Sequence, residues 1–241
     1  MKTNENYRIL AASTSTVYGS GYLEYIMDRA VEFLNADEIL FIPYARPGGA
    51  TYEEYTEAPA NAFGKKNISV KGIHEFSDPK AAIQNSKAIF VGGGNTFLLL
   101  KTLYELDLME VLKSVVAKGT PYMGSSAGSN LTGMTIGTTN DMPIVYPSSF
   151  EALGFLPFNF NPHYLDPDLN STHKGETRET RIKEFHHFNS QPVLGLREGS
   201  WLEVQKGEIE LKGELTARLF RQGEQALEIS SGRVGEFLSG N

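Results

Sequence analysis

A serine flanked by glycines lies near the middle of this chain. The pattern Gly-x-Ser-x-Gly occupies residues 124–128, centres on Ser126, and follows the short apolar run 121–123. This pattern is typical of a sharp strand-to-helix turn that exposes a serine hydroxyl above a sheet, with glycines where the backbone leaves no room for a β-carbon. We interpret Ser126 as a candidate nucleophile. The alternative is a helix start at which Ser126 is only a cap.

A glycine-rich loop precedes the serine. An apolar run at 89–91 leads into three consecutive glycines, and Asn95 then suits the start of a helix. Backbone N–H groups in such a turn can hold an anion or a developing oxyanion. In hydrolases with a serine turn of this kind, one donor follows the serine, here Ala127, and the second comes from an earlier loop, here Gly93 or Gly94. The Gly-Lys-Ser/Thr ending of a phosphate loop is missing, which disfavours nucleotide binding.

A serine nucleophile needs a base, and the chain has five histidines. His163 follows a strand-like run and is preceded by a stiffening proline, which suits a structured loop above the sheet. His163 is therefore the preferred base. The other four histidines have simpler interpretations. His74 suits a half-buried strand position and His173 an exposed loop, while His186 and His187 suit a solvated helix end.

Two carboxylates could orient the imidazole. Glu198 follows the apolar run 193–196, so it lies at the carboxyl end of a predicted strand. Asp141 lies in an irregular segment soon after the serine turn. Either carboxylate could hold the correct tautomer and stabilise the charged ring. Each also has a structural interpretation, Asp141 as a side chain that closes its own turn and Glu198 as a turn residue before a glycine.

Composition limits the functional classes. The 241 residues are 40% hydrophobic and 21% charged, as in ordinary globular proteins. Without cysteine, the chain has no disulfide, thiolate metal site or cysteine nucleophile. The net charge of −7 disfavours nucleic acid or an anionic membrane as a partner. No signal peptide or membrane-spanning run is visible, so a cytoplasmic location is expected.

The element pattern predicts the fold class. Strands and helices alternate in the first half, which indicates an α/β fold with a mostly parallel sheet covered by helices on both faces. The predicted strands are 7–12, 38–43, 68–76, 87–91 and 121–123, and the predicted helices are 21–34, 52–63, a short one capped by Asp78, 96–118 and 175–188. From residue 192, short runs separated by turns predict antiparallel strands that extend the sheet edge. With no linker or repeat, residues 1–241 are expected to form a single domain.

Six motifs in order give the chain a resemblance to a known family. They are Gly92–Phe97, Ser126–Gly128, Thr139–Pro143, Asn161–His163, Gly175–Glu179 and Glu198–Gly199. In this order they resemble the S51 serine peptidase family, the α-aspartyl dipeptidases called peptidase E, over nearly the whole chain. The resemblance implies a flavodoxin-like fold related to class I glutamine amidotransferases, and cytosolic hydrolysis of dipeptides with an N-terminal aspartate. It implies no metal and no cofactor.

The resemblance also implies roles for residues of this chain. Ser126 would be the nucleophile and His163 the base, while both Glu198 and Asp141 match positions assigned to the charge relay. Asn95 and Thr96 are expected at the substrate. A guanidinium suits the aspartate side chain because it grips a carboxylate with two hydrogen bonds, and Arg178 is the first choice. The other candidates are Arg181, Arg197 and Arg46.

Alternative functions remain open on this sequence. One is a different hydrolase on the same scaffold, such as an esterase or a cyanophycinase-like peptidase. The other is a non-catalytic relative that binds a small molecule. The expected partner is a small peptide, the Asp-Xaa dipeptide, with no nucleic acid and no membrane. The expected assembly is a monomer or a small homo-oligomer.

Overall fold

The computed structural model describes residues 3–168, 170, 172 and 175–238. His173 therefore lies outside the described residues. The strands are β1 Arg8–Ala12, β2 Glu38–Ile42, β3 Ser69–Gly72, β4 Ile89–Val91, β5 Tyr122–Ser125, β6 Asn159–Pro162, β7 Val193–Leu196, β8 Trp201–Gln205, β9 Glu208–Lys212, β10 Ala217–Phe220, β11 Leu227–Ile229 and β12 Gly232–Arg233. The α-helices are α1 Met27–Leu34, α2 Tyr52–Gly64, α3 Pro79–Asn85, α4 Thr96–Glu105, α5 Met109–Ala117, α6 Ala127–Asn130, α7 Arg178–Phe185 and α8 Gly235–Leu238.

The main sheet confirms the predicted α/β class. Its strand order is β12-β9-β8-β1-β5-β4-β2-β3, and the five strands from β1 to β3 in this order run parallel. Side chains of a strand point alternately to the two faces. In β1, Ile9 and Ala11 accordingly join one buried cluster while Leu10 and Ala12 join the other. Helices α4 and α5 pack in the first cluster and α1 and α2 in the second, so both faces are covered.

A second sheet corrects the prediction for the C-terminal strands. Strands β8, β9 and β12 do extend the main sheet in antiparallel fashion. Strands β7, β10 and β11 instead join β6 in a separate sheet of order β11-β10-β7-β6. The free edge of β1 is already occupied by β8. Strand β7 pairs in parallel with β6, which follows the long segment after α6.

Several predicted boundaries were wrong for local reasons. The helix predicted over 96–118 is two helices, α4 and α5, separated at Asp107 by a left-handed backbone with φ of 52°. The helix predicted from residue 21 begins at Met27, after Leu23 with φ of 55°. The strand predicted over 68–76 ends at Gly72 and continues as a 3₁₀ turn, Ile73–Glu75. In the described ranges, no helix is long and apolar enough to cross a lipid bilayer.

Candidate active site

The candidate nucleophile lies on a strained turn between β5 and α6. Ser126 has φ of 52° and ψ of −108°, a conformation that non-glycine residues rarely adopt. The flanking glycines allow the close packing of this turn. A β-carbon on Gly124 would lie 2.5 Å from the carbonyl oxygen of Gly128, and one on Gly128 would lie 2.2 Å from that of Val91. Strain of this kind concentrates at functional sites.

A continuous chain of hydrogen bonds runs from this serine to a carboxylate. The Nε2 atom of His163 lies 2.9 Å from the Oγ atom of Ser126. The Nδ1 atom of the same ring lies 2.6 Å from Oε1 of Glu198. A carboxylate at Nδ1 favours the tautomer that carries its hydrogen there. The lone pair of Nε2 is then free to accept the serine proton, which is the arrangement of a Ser-His-acid triad.

The topology explains why residues so far apart in sequence meet. His163 follows β6 and Glu198 follows β7, which are parallel neighbours with Pro162 opposite Leu196. Parallel strands end at the same edge of their sheet, so the imidazole and the carboxylate emerge side by side. Ser126 emerges from the main sheet, directly after β5.

Ser13 joins the two sheets at this point and was missed by the sequence reasoning. Its buried hydroxyl accepts a hydrogen bond from the His163 N–H at 2.9 Å and donates one to the Leu196 carbonyl at 2.7 Å. Ser13 directly follows β1, whose last residue, Ala12, lies opposite Ser125 of β5. Its place at the carboxyl end of the strand beside the serine turn was a signal that could have found it.

The glycine-rich loop lies against the nucleophile. A β-carbon on Gly93 would lie 3.1 Å from the Cβ atom of Ser126. Gly94 has φ of +135°, and a β-carbon there would meet the Ala45 carbonyl oxygen at 2.3 Å, so only glycine fits. Within the described part of the chain, the N–H groups of Gly93 and Gly94 donate no hydrogen bond. Ala127 begins α6, where the N–H group has no intrahelical acceptor.

Asp141 has a different environment from Glu198. Its Oδ2 atom accepts hydrogen bonds from the Thr96 N–H at 2.7 Å and from the Thr139 hydroxyl at 3.0 Å. The first of these places a carboxylate at the N-terminus of α4, where the helix dipole favours negative charge. The structure therefore brings Glu198, not Asp141, to the imidazole.

Asn95 and Thr96 are tied to the same corner of the site. The side chain of Asn95 caps α4 by accepting from the Leu98 N–H at 3.1 Å and also donates to the Met142 carbonyl at 2.9 Å. The Thr96 hydroxyl accepts a hydrogen bond from Thr139 at 3.1 Å. These contacts fix the segment that carries Asp141 against the loop that faces the serine.

Arg178 is the first residue of α7 and lines a cleft of about 320 Å³ with Asp166, Asp168 and Arg181. Burial and the positive charge of Arg181 lower the pKa of the Arg178 guanidinium from its ordinary value, while the charge of Asp141 opposes this shift. Arg178 and Asp141 are therefore electrostatic neighbours, although they lie on different elements.

Comparison with known proteins assigns the family. The model of peptidase family S51 matches residues 9–212. This chain belongs to peptidase family S51. It is 51% identical over 225 residues to a peptidase E of Streptomyces coelicolor, covering 93% of this chain and 91% of that protein. It is 45% identical over 217 residues to a probable alpha-aspartyl dipeptidase of Drosophila melanogaster, covering 88% and 89%. A peptidase structure from an acI-B1 Actinobacterium shares the fold, with a TM-score of 0.69 at 14% identity over 96% of this chain and 98% of that one.

The other candidate arginines of this S51 peptidase contact other groups of the protein. Arg197 forms ion pairs with Asp166 at 2.8 Å and with Glu228 at 3.0 Å. Arg181 approaches Glu176 at 3.7 Å. The Arg46 guanidinium lies over the ring of Tyr55 on α2. Among the described residues neither Arg178 nor Arg46 has an ion pair, and of these two Arg178 is the one that lines the cleft beside α7.

The other described histidines, His74, His186 and His187, form no hydrogen bond with Ser126. His186 is buried, which corrects its interpretation as part of a solvated helix end, and its Nε2 atom lies 3.0 Å from the Gln191 carbonyl oxygen. His74 belongs to the 3₁₀ turn after β3, not to a strand, and lies 3.7 Å from Glu53. His187 is exposed just after α7. In the described residues, no group of three or more histidine and carboxylate side chains is placed to hold a metal ion.

Proposed function

We propose that this S51 peptidase is a serine dipeptidase that releases an N-terminal aspartate from Asp-Xaa dipeptides. The observation that carries the proposal is the hydrogen-bonded chain from Ser126 through His163 to Glu198. A serine activated in this way attacks a carbonyl carbon and forms an acyl-enzyme. The name of the Drosophila relative, a probable alpha-aspartyl dipeptidase, supports the substrate class.

The chemistry follows from the positions of these groups. His163 takes the proton of Ser126 through Nε2 as Oγ attacks the peptide carbonyl, and Glu198 stabilises the imidazolium that forms. The tetrahedral oxyanion accepts hydrogen bonds from the N–H of Ala127 and from that of Gly93 or Gly94. His163 then gives its proton to the leaving amine. Water attacks the ester by the same route and releases free aspartate.

Substrate charge is matched by two groups of opposite sign. The protein is acidic overall, so an aspartate side chain needs a local cation. Arg178 supplies one on the α7 side, and its planar guanidinium can form two hydrogen bonds to a carboxylate. Asp141 lies within electrostatic reach of Arg178 and offers a carboxylate to the free α-ammonium group. The pair suits the zwitterionic end of an aspartyl dipeptide.

Hydrolysis assays test the proposal. We expect purified protein to cleave Asp-Leu, to cleave Asn-Leu weakly, and not to cleave N-acetyl-Asp-Leu. Replacing Ser126 with alanine removes the nucleophile and should lower turnover by several orders of magnitude. Retention of most Asp-Leu hydrolysis by Ser126→Ala would contradict the proposal. Rapid cleavage of the acetylated peptide would favour another hydrolase on this scaffold.

The cytoplasmic location, the single domain and the monomeric or small homo-oligomeric state stay predictions from the sequence.

A further inference from the structure

A buried tyrosine contacts the glycine-rich loop from the side of α2. The hydroxyl of Tyr55 donates a hydrogen bond of 2.8 Å to the carbonyl oxygen of Gly93. Tyr55 is 6% exposed, and its ring packs edge-on against Phe41 with the guanidinium of Arg46 over its face at 4.5 Å. A β-carbon on Gly92 would lie 2.5 Å from this hydroxyl, so the loop and the ring fit closely.

The position of Tyr55 is fixed by its helix. Tyr55 lies in the first turn of α2, whose start is held by a reciprocal cap. The Thr51 hydroxyl accepts from the Glu54 N–H at 3.2 Å, and the Glu54 carboxylate accepts from the Thr51 N–H at 2.7 Å. Such a cap satisfies two backbone donors that would otherwise lack partners. The phenol is thus presented to the loop from a rigid support.

The hydrogen bond fixes the direction of a whole peptide unit. The C=O of Gly93 and the N–H of Gly94 belong to the same planar peptide, and the described chain has no cis peptide bond. In a trans peptide these two groups point in opposite directions. With the carbonyl turned toward Tyr55, the Gly94 N–H points away from Tyr55. That N–H donates to no other group of the described residues.

A peptide between two glycines rotates more freely than any other, because no β-carbon restricts either side. Rotation of this unit by half a turn would exchange the N–H and the C=O. The loop lies against Ser126. If the Gly94 N–H is the oxyanion donor, the exchange would put a carbonyl oxygen in its place, and that oxygen would repel the negative charge that develops during the reaction. An oxyanion hole in this loop therefore needs something that holds the peptide in one orientation.

We propose that Tyr55 is a positioning residue that holds the Gly93–Gly94 peptide with its N–H directed into the oxyanion hole. The proposal rests on the proposed serine chemistry and adds a residue to it. It also selects Gly94 as the loop donor. Tyr55 does not touch the reacting atoms. Burial raises the pKa of Tyr55, so its hydroxyl keeps its proton and donates throughout the neutral pH range.

Tyr55→Phe tests the proposal because it removes the hydroxyl and keeps the ring. The matched control is Tyr104→Phe. Tyr104 lies near the C-terminal end of α4, and its hydroxyl donates a hydrogen bond of 3.0 Å to the Glu151 carbonyl. One hydrogen bond holds the peptide, so we expect kcat for Asp-Leu to fall about three- to tenfold in Tyr55→Phe, with KM within a factor of two. The loss should be constant between pH 6 and 9. The control should match the wild type.

Two inhibitors distinguish the loss of a correctly oriented oxyanion donor from a general loosening of the substrate site. An aspartate-derived boronic acid forms a tetrahedral adduct with a serine and uses the oxyanion hole, whereas free aspartate does not form one. Tyr55→Phe should weaken inhibition by the boronic acid by the same factor by which kcat falls, and it should leave inhibition by aspartate unchanged. Equal weakening of both inhibitors, or kcat within a factor of two of the wild type, would overturn the proposal.

A fluorophosphonate makes the test independent of the substrate. Ser126 Oγ forms a bond to phosphorus, fluoride leaves, and His163 takes the serine proton. The rate of labelling should fall in Tyr55→Phe by a factor similar to that in kcat, even if Asp-Leu proves to be the wrong substrate. An unchanged labelling rate would overturn the role of Tyr55 alone. A wild-type protein that is neither labelled nor active would overturn both this role and the serine mechanism.

Discussion

We expect the replacement of Glu198 with glutamine to change the tautomer of the His163 imidazole, the proposed base. The carboxylate lies 2.6 Å from Nδ1 of His163 and can only accept a hydrogen bond there. A glutamine amide can donate instead, which favours a hydrogen on Nε2. That hydrogen would face the Ser126 hydroxyl at 2.9 Å, and the ring could no longer accept the serine proton. The shape of the site is kept while its chemistry is lost.

The exposure of the pair limits the size of this effect. In the template triad with a buried aspartate, the equivalent change to asparagine lowers kcat by about 10⁴. Here the side chains of His163 and Glu198 are 36% and 44% exposed. Water can screen the charge and partly replace the lost partner. We therefore expect kcat for Asp-Leu to fall by about 10²–10³ in Glu198→Gln, with little change in KM.

Steady-state hydrolysis of Asp-Leu measures this loss, and Asp141→Asn is the matched control. Asp141 bonds to the Thr96 N–H and is proposed to meet the substrate ammonium, so its loss should act mainly on KM. Thermal unfolding of both variants checks that each is folded. The reasoning would be refuted if Glu198→Gln kept kcat within threefold of the wild type while Asp141→Asn lost kcat about 10³-fold at unchanged KM. That result would assign the charge relay to Asp141.

Three further predictions follow from other contacts. Arg178→Gln should reduce the preference for Asp-Leu over Asn-Leu by about tenfold or more, and an unchanged ratio of kcat/KM values would exclude Arg178 as the carboxylate ligand. Burial alone would raise the pKa of Glu203, but hydrogen bonds from Arg29 and Trp201, together with the charges of Arg29 and Lys212, hold that pKa below its usual value. The stabilisation from the charged Glu203 is complete above about pH 4.3 and is lost as the pH falls further. Glu203→Gln should therefore lower the free energy of unfolding by about 1–3 kcal/mol at pH 7 and by less near pH 3. Urea titrations at the two pH values measure this difference. Gly128→Ala would place a β-carbon 2.2 Å from the Val91 carbonyl oxygen, so this variant should lose both stability and activity, whereas Gly64→Ala, with open space around its β-carbon, should not.

Features set by local sequence were predicted well. The serine turn was visible because its glycines and strand are consecutive, and the parallel core of the main sheet was visible because its strands alternate regularly with helices. Asp78 was correctly predicted as a helix cap, since its side chain accepts from the Ala81 N–H. These signals depend on neighbours within a few residues.

Features set by long-range pairing were not predictable. The second sheet forms because β7 pairs with β6, and no local pattern shows which edge a short apolar run will join. For the same reason, the sequence left Glu198 and Asp141 as equal candidates. Only the parallel pairing places Glu198 beside His163. Tyr55 was missed because it acts through a backbone group of a distant segment, and such a contact leaves no mark in the spacing of residues. Ser13 also acts through a distant backbone group, and only its place at the end of β1 pointed to it.

The covalent intermediate offers the most direct test of the central claim. Asp-Leu is mixed with the enzyme, the reaction is stopped in acid within milliseconds, and the protein is digested and analysed by mass spectrometry. We predict a mass increase of one aspartyl group on the peptide that contains Ser126, and none in Ser126→Ala. An aspartyl adduct on a different residue, or normal turnover by Ser126→Ala, would contradict the account.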